Sequence, residues 1–212
     1  MKHYNLAQIQ SWDRFYRGNF INSLSGFKSA SLIGTINKAG QTNLAIFSNI
    51  VHIGAAPPLI GFINRPIAAT PHTIANIQAT GQYTINNITK NIVAQAHQTS
   101  AKYDSNVSEF EAVGLTPIFK EGCIAPFVAE SNLQYNLNLV EIIPITHNNT
   151  YLVIGAVQNV YVQNENIGAD GFICLEKAGS IATLGIDGYY TCNQIARFEY
   201  AKPDEKTKKI YK

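Results

Sequence analysis

The sequence predicts a mainly β protein, an antiparallel barrel with a few short peripheral helices. Several segments read as strands bounded by turn residues, and the clearest pair, residues 134–145 and 150–162, flanks the turn His147-Asn148-Asn149. The regular alternation of strand and helix that a doubly wound parallel sheet needs is missing. A closed barrel would also remove the exposed edges that an antiparallel sheet must otherwise protect.

Four further strands are predicted in the first half of the chain. The first two form a hairpin around the turn Lys38-Ala39-Gly40. The third is predicted as a central strand, opened by a proline pair that blocks a helix. In chain order they cover residues 29–37, 43–51, 59–63 and 83–88.

Short helices are predicted between these strands and the second half. The first has a hydroxyl N-cap, Thr70, followed by a proline at the first helical position. The second covers residues 89–98. The third is short, because Ser108 and Glu111 form a capping-box pattern at its start and Gly114 ends it.

Composition narrows the possible functions. The 212 residues, 46% of them hydrophobic, suit a single folded domain over residues 1–212. Charged residues make up only 14%, the net charge is +2, and no basic stripe is interleaved with aromatics, so no nucleic-acid partner is expected. The three cysteines lie far apart, which favours a reducing cytoplasm over a disulfide framework. With no long apolar run and no signal-peptide pattern, no membrane association is expected.

The usual catalytic motifs are absent from the sequence. It contains no G-x-G-x-x-G, no P-loop and no G-x-S-x-G, and its five histidines show no i, i+4 pair for a metal. Side chains alone therefore offer little chemistry. A cofactor that carries its own reactivity becomes the more attractive hypothesis.

One end of the segment 43–73 suits a flat polar ring. Ala45 is small enough to let the backbone approach such a ring closely, and Asn43, Ser48 and Asn49 offer hydrogen bonds. The alternative is an ordinary strand after a hairpin, with its polar residues pointing outward.

The other end of this segment suits a phosphate. A helix N-terminus presents free N–H groups and the positive end of the helix dipole, which together bind anions. Thr73 can add a hydroxyl, His72 lies beside it, and Arg65 can clamp a phosphate from a few residues upstream. A capped helix with a surface arginine is the alternative. A ring at one end and a phosphate at the other is the shape of flavin mononucleotide (FMN).

Two other histidines have open roles. His52 follows the candidate ring segment and either faces a substrate or is a structural hydrogen-bonding residue. His97 is predicted at the end of a helix. There it either interacts favourably with the negative C-terminal end of the helix dipole or donates a proton near a nicotinamide. Lys102 and Tyr103 follow in a polar loop and either contact a cofactor or are exposed.

Short motifs in a fixed order carry a resemblance to a known family. They are GTIN, AIFSN, APPLIGF, RP followed by PHTIANI, YTIN, HQTSAKY, SEFEAVGL, YLVIGAV and LGIDGYY. In this order, from about residue 29 to about residue 190, they resemble the flavin reductase-like family. The longer loop over residues 66–70 resembles that of its flavoredoxin-like branch, whereas Ile186-Asp187-Gly188 departs from the usual glycine pair near the C-terminus.

The resemblance implies a split β-barrel of the Greek-key antiparallel type and a homodimer with FMN near the subunit interface. It also implies that NADH or NADPH reduces the flavin, which passes electrons to a free flavin, an oxygenase partner or another acceptor. No side chain is assigned as catalytic, and no metal is expected. The alternatives are a non-catalytic FMN-binding electron carrier or flavin-storage protein, or a barrel that binds another small ligand.

By position, the resemblance assigns the cofactor-binding residues in two groups. The first matches the segment that lines the ring and ribityl chain, and the second matches the phosphate region. The two groups are Asn43, Ala45, Phe47, Ser48 and Asn49, and then Arg65, His72 and Thr73.

Overall fold

The computed structural model describes residues 1–67 and 71–210. Within these residues the chain forms twelve strands and five α-helices, with short 3-10 turns at Lys90–Ile92 and Asn164–Asn166. The strands are β1 (Lys28–Ser29), β2 (Ser31–Ile36), β3 (Thr42–Phe47), β4 (Ile50–Ala55), β5 (Pro58–Asn64), β6 (Gln82–Asn87), β7 (Pro117–Lys120), β8 (Cys123–Val128), β9 (Leu133–Ile145), β10 (Thr150–Val162), β11 (Ile181–Leu184) and β12 (Gly188–Thr191). The helices are α1 (Leu6–Ser11), α2 (Arg14–Leu24), α3 (Pro71–Thr80), α4 (Val93–Gln98) and α5 (Glu109–Val113).

The described strands pair antiparallel, which confirms the predicted mainly β class. Seven of them form one sheet in the order β3-β2-β6-β9-β10-β5-β4. Two smaller sheets, β1-β11-β12 and β7-β8, lie outside it. The predicted hairpin of β9 and β10 is the longest pairing, from Thr150↔Ile145 to Val162↔Leu133.

The predicted single strand over residues 43–51 is wrong, and its break explains why the sheet closes. The chain bends at residues 48–49, so β3 and β4 are separate strands at opposite edges of the seven-stranded sheet. Two residues span at most about 7 Å. The sheet must therefore curl until its two edges lie close together, which is the geometry of a barrel.

Two of the predicted helix starts need comment. Helix α3 begins at Pro71, as predicted, and is followed by Gly81 with a φ of +73°, but the proposed N-cap Thr70 lies outside the described residues. The capping box at Ser108 is wrong, because its side chain caps no N–H of α5. Its Oγ lies 2.7 Å from Oγ1 of Thr42 instead. That tertiary hydrogen bond attaches α5 to β3.

Helices α1 and α2 were not predicted and stand apart from the barrel core. None of their residues is buried. Asn5 and Asp13 cap their N-termini, and Trp12 packs edge-on against Tyr4 and Phe20 at ring distances of 5.1 and 5.0 Å. These helices therefore form a hairpin that is held together mainly by its own aromatic side chains. No helix in the described part of the chain is long and apolar enough to cross a membrane.

Candidate functional site

The residues predicted from the sequence come together at one pocket. Its volume is about 370 Å³, within the range of about 300–1,000 Å³ that is usual for small-molecule sites. The eight predicted residues that line it are Asn43, Ala45, Phe47, Ser48, Asn49, Arg65, His72 and Thr73. They are brought together because β3, the bend after it, the end of β5 and the start of α3 meet at the closing edge of the barrel.

The outer edge of β3 offers backbone hydrogen-bonding groups to the pocket. The N–H of Leu44 donates to Oε2 of Glu109 at 3.0 Å, so Leu44 faces away from its partner strand β2. In an antiparallel pair the inward and outward groups alternate, so the N–H and C=O of Ile46 also face outward. Ile46 lines the pocket, and Ala45 beside it is small. A flat ring with a polar edge can therefore lie against this strand.

Asn43 has a structural role besides lining the pocket. It is 6% exposed, and its Nδ2 donates to Oγ1 of Thr35 at 3.2 Å and to Oγ1 of Thr73 at 3.3 Å. Nδ2 of Asn76 on α3 also donates to Oγ1 of Thr35, at 3.1 Å. This buried network fastens the start of α3 to β2 and β3. The side-chain NH2 group of Asn43 therefore stabilises the fold, a role that the sequence alone did not indicate.

The start of α3 forms the anion-binding end of the pocket. Among the described residues, the hydrogen-bond partner of the Thr73 side chain is Nδ2 of Asn43, which donates to Oγ1, so the hydroxyl hydrogen can be donated to a ligand. His72 is half-buried beside it. Arg65 is exposed at the rim, and none of the ion pairs among the described residues involves it. Nδ2 of Asn64 donates to the carbonyl of Arg65 at 2.7 Å, which fixes the backbone that carries the guanidinium.

Glu109 is an acidic residue in this otherwise basic pocket. It is 6% exposed, and burial raises the pKa of its carboxyl above the ordinary value, although the hydrogen bond from Leu44 opposes this effect. Three cationic side chains, Lys28, Arg65 and Lys102, line the same pocket. The balance of charge therefore favours an anionic ligand.

Distant parts of the chain complete the pocket, and most of them were not predicted. One of these parts is Lys28. Its Nζ donates to the carbonyls of Asn22 and Gly26 at 3.1 and 3.2 Å, and these hydrogen bonds tie α2 to the rim of the pocket. The remaining lining residues include the loop 99–103, with Lys102 and Tyr103, and Thr183, Gly185, Ile186 and Tyr189. The loop had a sequence signal in the HQTSAKY motif, and Gly185, Ile186 and Tyr189 had one in the LGIDGYY motif, but neither motif was assigned to the pocket.

The two histidines with open roles have different locations. His52 is exposed on β4 and does not line the pocket. His97 lies in the last turn of α4 and lines the pocket, where its Nδ1 is 2.8 Å from Oη of Tyr189. Burial, and then the negative charge of Asp187, raise the pKa of Tyr189 above its ordinary value, so its phenol stays protonated at neutral pH.

Comparison with known proteins gives this geometry a family. The model of the flavin reductase-like domain matches residues 25–175. A solved structure from Shewanella frigidimarina NCIMB 400, provisionally assigned as a flavin reductase with a split barrel domain, is 48% identical and has a TM-score of 0.92. That alignment covers 95% of this chain and all (100%) of the other. The likeness confirms the predicted split β-barrel.

Two more distant structures share the fold. Nitrilotriacetate monooxygenase component B from Bacillus cereus is 24% identical, with a TM-score of 0.80 over 94% of this chain and 98% of that chain. Flavoredoxin of Desulfovibrio vulgaris (Miyazaki F) is 22% identical, with a TM-score of 0.70 over 84% of this chain and 92% of that chain. At these identities the comparison supports the architecture alone.

Proposed function

The chain belongs to the flavin reductase-like family, and from that premise we propose that it is an FMN-binding oxidoreductase reduced by NADH or NADPH. We further propose that residues 1–212 form one flavin-binding domain and that the protein is a homodimer. A free flavin, an oxygenase partner or another acceptor would take the electrons.

The observation that carries this proposal is the meeting of all eight predicted residues at one pocket. The two ends of this pocket differ in the way that FMN requires. The outward backbone of Ile46 beside Ala45 fits the edge of the isoalloxazine ring, and the hydroxyl of Thr73 with Arg65 and His72 fits the phosphate. The two ends of the pocket therefore offer hydrogen-bond donors for the ring edge and for the phosphate of FMN.

The protein's own contribution is binding and orientation. Bound FMN supplies the capacity to take a hydride from a nicotinamide and to pass the electrons on. Ala45 would allow the ring to approach the strand closely, and the main chain of Ile46 would hydrogen-bond its edge. Arg65 and Thr73 would hold the phosphate and so orient the cofactor. Lys28 and Lys102 keep the pocket electropositive, which favours a flavin that gains negative charge on reduction.

An absorption spectrum tests the proposal directly. The purified protein should be yellow, and NADH or NADPH added to separate anaerobic cuvettes should bleach the flavin absorption. Bleaching by one nucleotide and not the other also determines the donor. A folded protein that binds no flavin would exclude the proposal, and bound flavin that neither nucleotide reduces would indicate an electron carrier or a flavin-storage protein instead.

The phosphate end has its own test. Arg65→Ala should weaken FMN binding by about 1–3 kcal/mol, because it removes a charge-assisted hydrogen bond. Arg14→Ala is the matched control, since Arg14 is also exposed but does not line the pocket. Quenching of FMN fluorescence measures both dissociation constants. An unchanged constant in Arg65→Ala would reject this assignment.

A further inference from the structure

Two side chains at the pocket have no task in the proposed function. Nδ1 of His97 and Oη of Tyr189 lie 2.8 Å apart and belong to residues 92 positions apart in the chain, on α4 and β12. Both line the pocket. Transfer of a hydride from a nicotinamide to a flavin needs no side-chain acid or base. A hydrogen-bonded pair of proton-exchanging groups is therefore surplus to that step.

Tyr189 lines the same pocket as β3, the strand proposed to bind the flavin ring. Its ring packs against the same apolar cluster as Leu44 and Ile46 of β3. The His97 ring meets it edge-on, with centroids 5.7 Å apart and an angle of 87°. The phenol is thus held from two sides within the pocket that is proposed to bind the flavin.

The pair also connects the pocket to water. Tyr189 is half-buried, whereas His97 is exposed. Since Tyr189 carries its proton at neutral pH, it is a donor, and the exposed imidazole can exchange protons with solvent. A proton lost from Tyr189 inside the pocket can therefore be replaced from outside through His97.

We infer that Tyr189 is a general acid, with which this protein reduces alkenes that are conjugated to a carbonyl group. The inference rests on the proposed function, which supplies NAD(P)H as the reductant and FMN as the carrier. A hydride adds to the β-carbon of the alkene, and the π electron pair moves towards the carbonyl to give an enolate. Tyr189 then donates its Oη proton to the α-carbon, so that a C–H bond forms as the O–H bond breaks.

The cycle closes through His97. The Tyr189 phenolate takes a proton from the His97 ring across their hydrogen bond, and the ring recovers a proton from water. In sum the alkene gains a hydride and a proton, and NAD(P)H is oxidised to NAD(P)+. An enolate carbon is a far stronger base than a phenolate, so a neutral tyrosine is acidic enough for this step.

The test compares two oxidants of the same reduced protein. The FMN-loaded protein is reduced anaerobically with dithionite and mixed with 2-cyclohexen-1-one or with ferricyanide, which takes electrons without needing a proton. Tyr189→Phe should lower the ratio of the enone rate to the ferricyanide rate by about 100-fold or more, the usual contribution of a general acid. Tyr190→Phe should leave the ratio unchanged, because Tyr190 packs against Phe27 at 4.9 Å and does not line the pocket.

The FMN dissociation constant and the thermal midpoint of the flavin-free variants separate a chemical role from a structural one. An unchanged rate ratio in Tyr189→Phe overturns the inference, even if flavin binding is weaker. A wild-type protein that ferricyanide reoxidises and the enone does not also overturns it. Because dithionite replaces the nucleotide, both outcomes are independent of whether NADH or NADPH reduces the protein, so the proposed function is tested separately.

Discussion

Replacing Tyr83 with phenylalanine is expected to stabilise the protein. Tyr83 on β6 is fully buried (0% exposed), and its Oη has no hydrogen-bond partner among the described residues. Burial, and then the neighbouring Tyr135, raise the pKa of the phenol, so the group is buried as a neutral hydroxyl. A buried hydroxyl without a partner costs about 1–3 kcal/mol. Its removal should therefore raise the free energy of unfolding by about 1 kcal/mol.

The glycine opposite this hydroxyl provides a second measurement of the same contact. A Cβ at Gly155 on β10 would lie 2.2 Å from Oη of Tyr83 and 2.9 Å from Cβ of Leu137. Gly155→Ala should cost about 3 kcal/mol, because neither neighbour can move away in a packed core. In the Tyr83→Phe background the closest remaining approaches are 2.9 Å, so part of the cost stays. We expect a coupling of about 1–2 kcal/mol between the two substitutions.

Urea denaturation followed by circular dichroism measures all four proteins of this cycle. Tyr16→Phe is the control, since Tyr16 is 58% exposed and its hydroxyl is hydrated in both states. A loss of 1 kcal/mol or more in Tyr83→Phe would show that the hydroxyl is hydrogen-bonded in solution. Additive effects of the two substitutions would refute the packing argument.

Two further substitutions test the site and the barrel. Glu109→Gln keeps an oxygen for the N–H of Leu44 and removes a carboxyl whose pKa is raised in the folded protein. A carboxyl whose pKa is raised by folding lowers the free energy of unfolding as the pH rises from its unfolded pKa through its folded pKa. The variant should therefore be more stable than the wild type at pH 7 and lose this advantage in acid. Equal gains in urea titrations at both pH values would contradict this expectation. Gly34→Ala should cost about 3 kcal/mol or more in the same titration, because its Cβ would lie 2.2 Å from the backbone oxygen of Pro126. Gly18→Ala on α2 meets nothing within 4 Å and should instead increase the helical signal slightly, so a similar loss in both variants would argue against a steric cause.

The part of the candidate site that residues 43–73 form was predictable because these residues are close in sequence. Asn43 and Thr73 are 30 positions apart, and the strand, proline, arginine and helix-start signals between them are local. The β9–β10 hairpin was predictable for the same reason. Local patterns of this kind depend on backbone preferences and on side-chain alternation, which are readable in short windows.

The parts that escaped prediction depend on long-range pairing. The pairing of Lys28 with Thr183 joins the start of the family match to a strand beyond its end and brings Tyr189 to the pocket. No short window contains that information. Ser108 shows the same limit. The local pattern predicts a helix cap, but its side chain instead hydrogen-bonds Thr42, which is 66 positions away in the chain. Tertiary contact overrides local preference at such positions.

The separate N-terminal hairpin has a practical consequence for limited proteolysis. Arg14 and Arg17 are trypsin sites on α2, and no residue of that helix is buried. Local opening there exposes no barrel core, so trypsin should cut at these arginines before it cuts the strands. The first residue that lines the pocket is Asn22, which lies beyond both sites. Early cleavage should therefore leave the flavin spectrum intact, and slower cleavage at higher protein concentration would reveal a second copy resting on the hairpin.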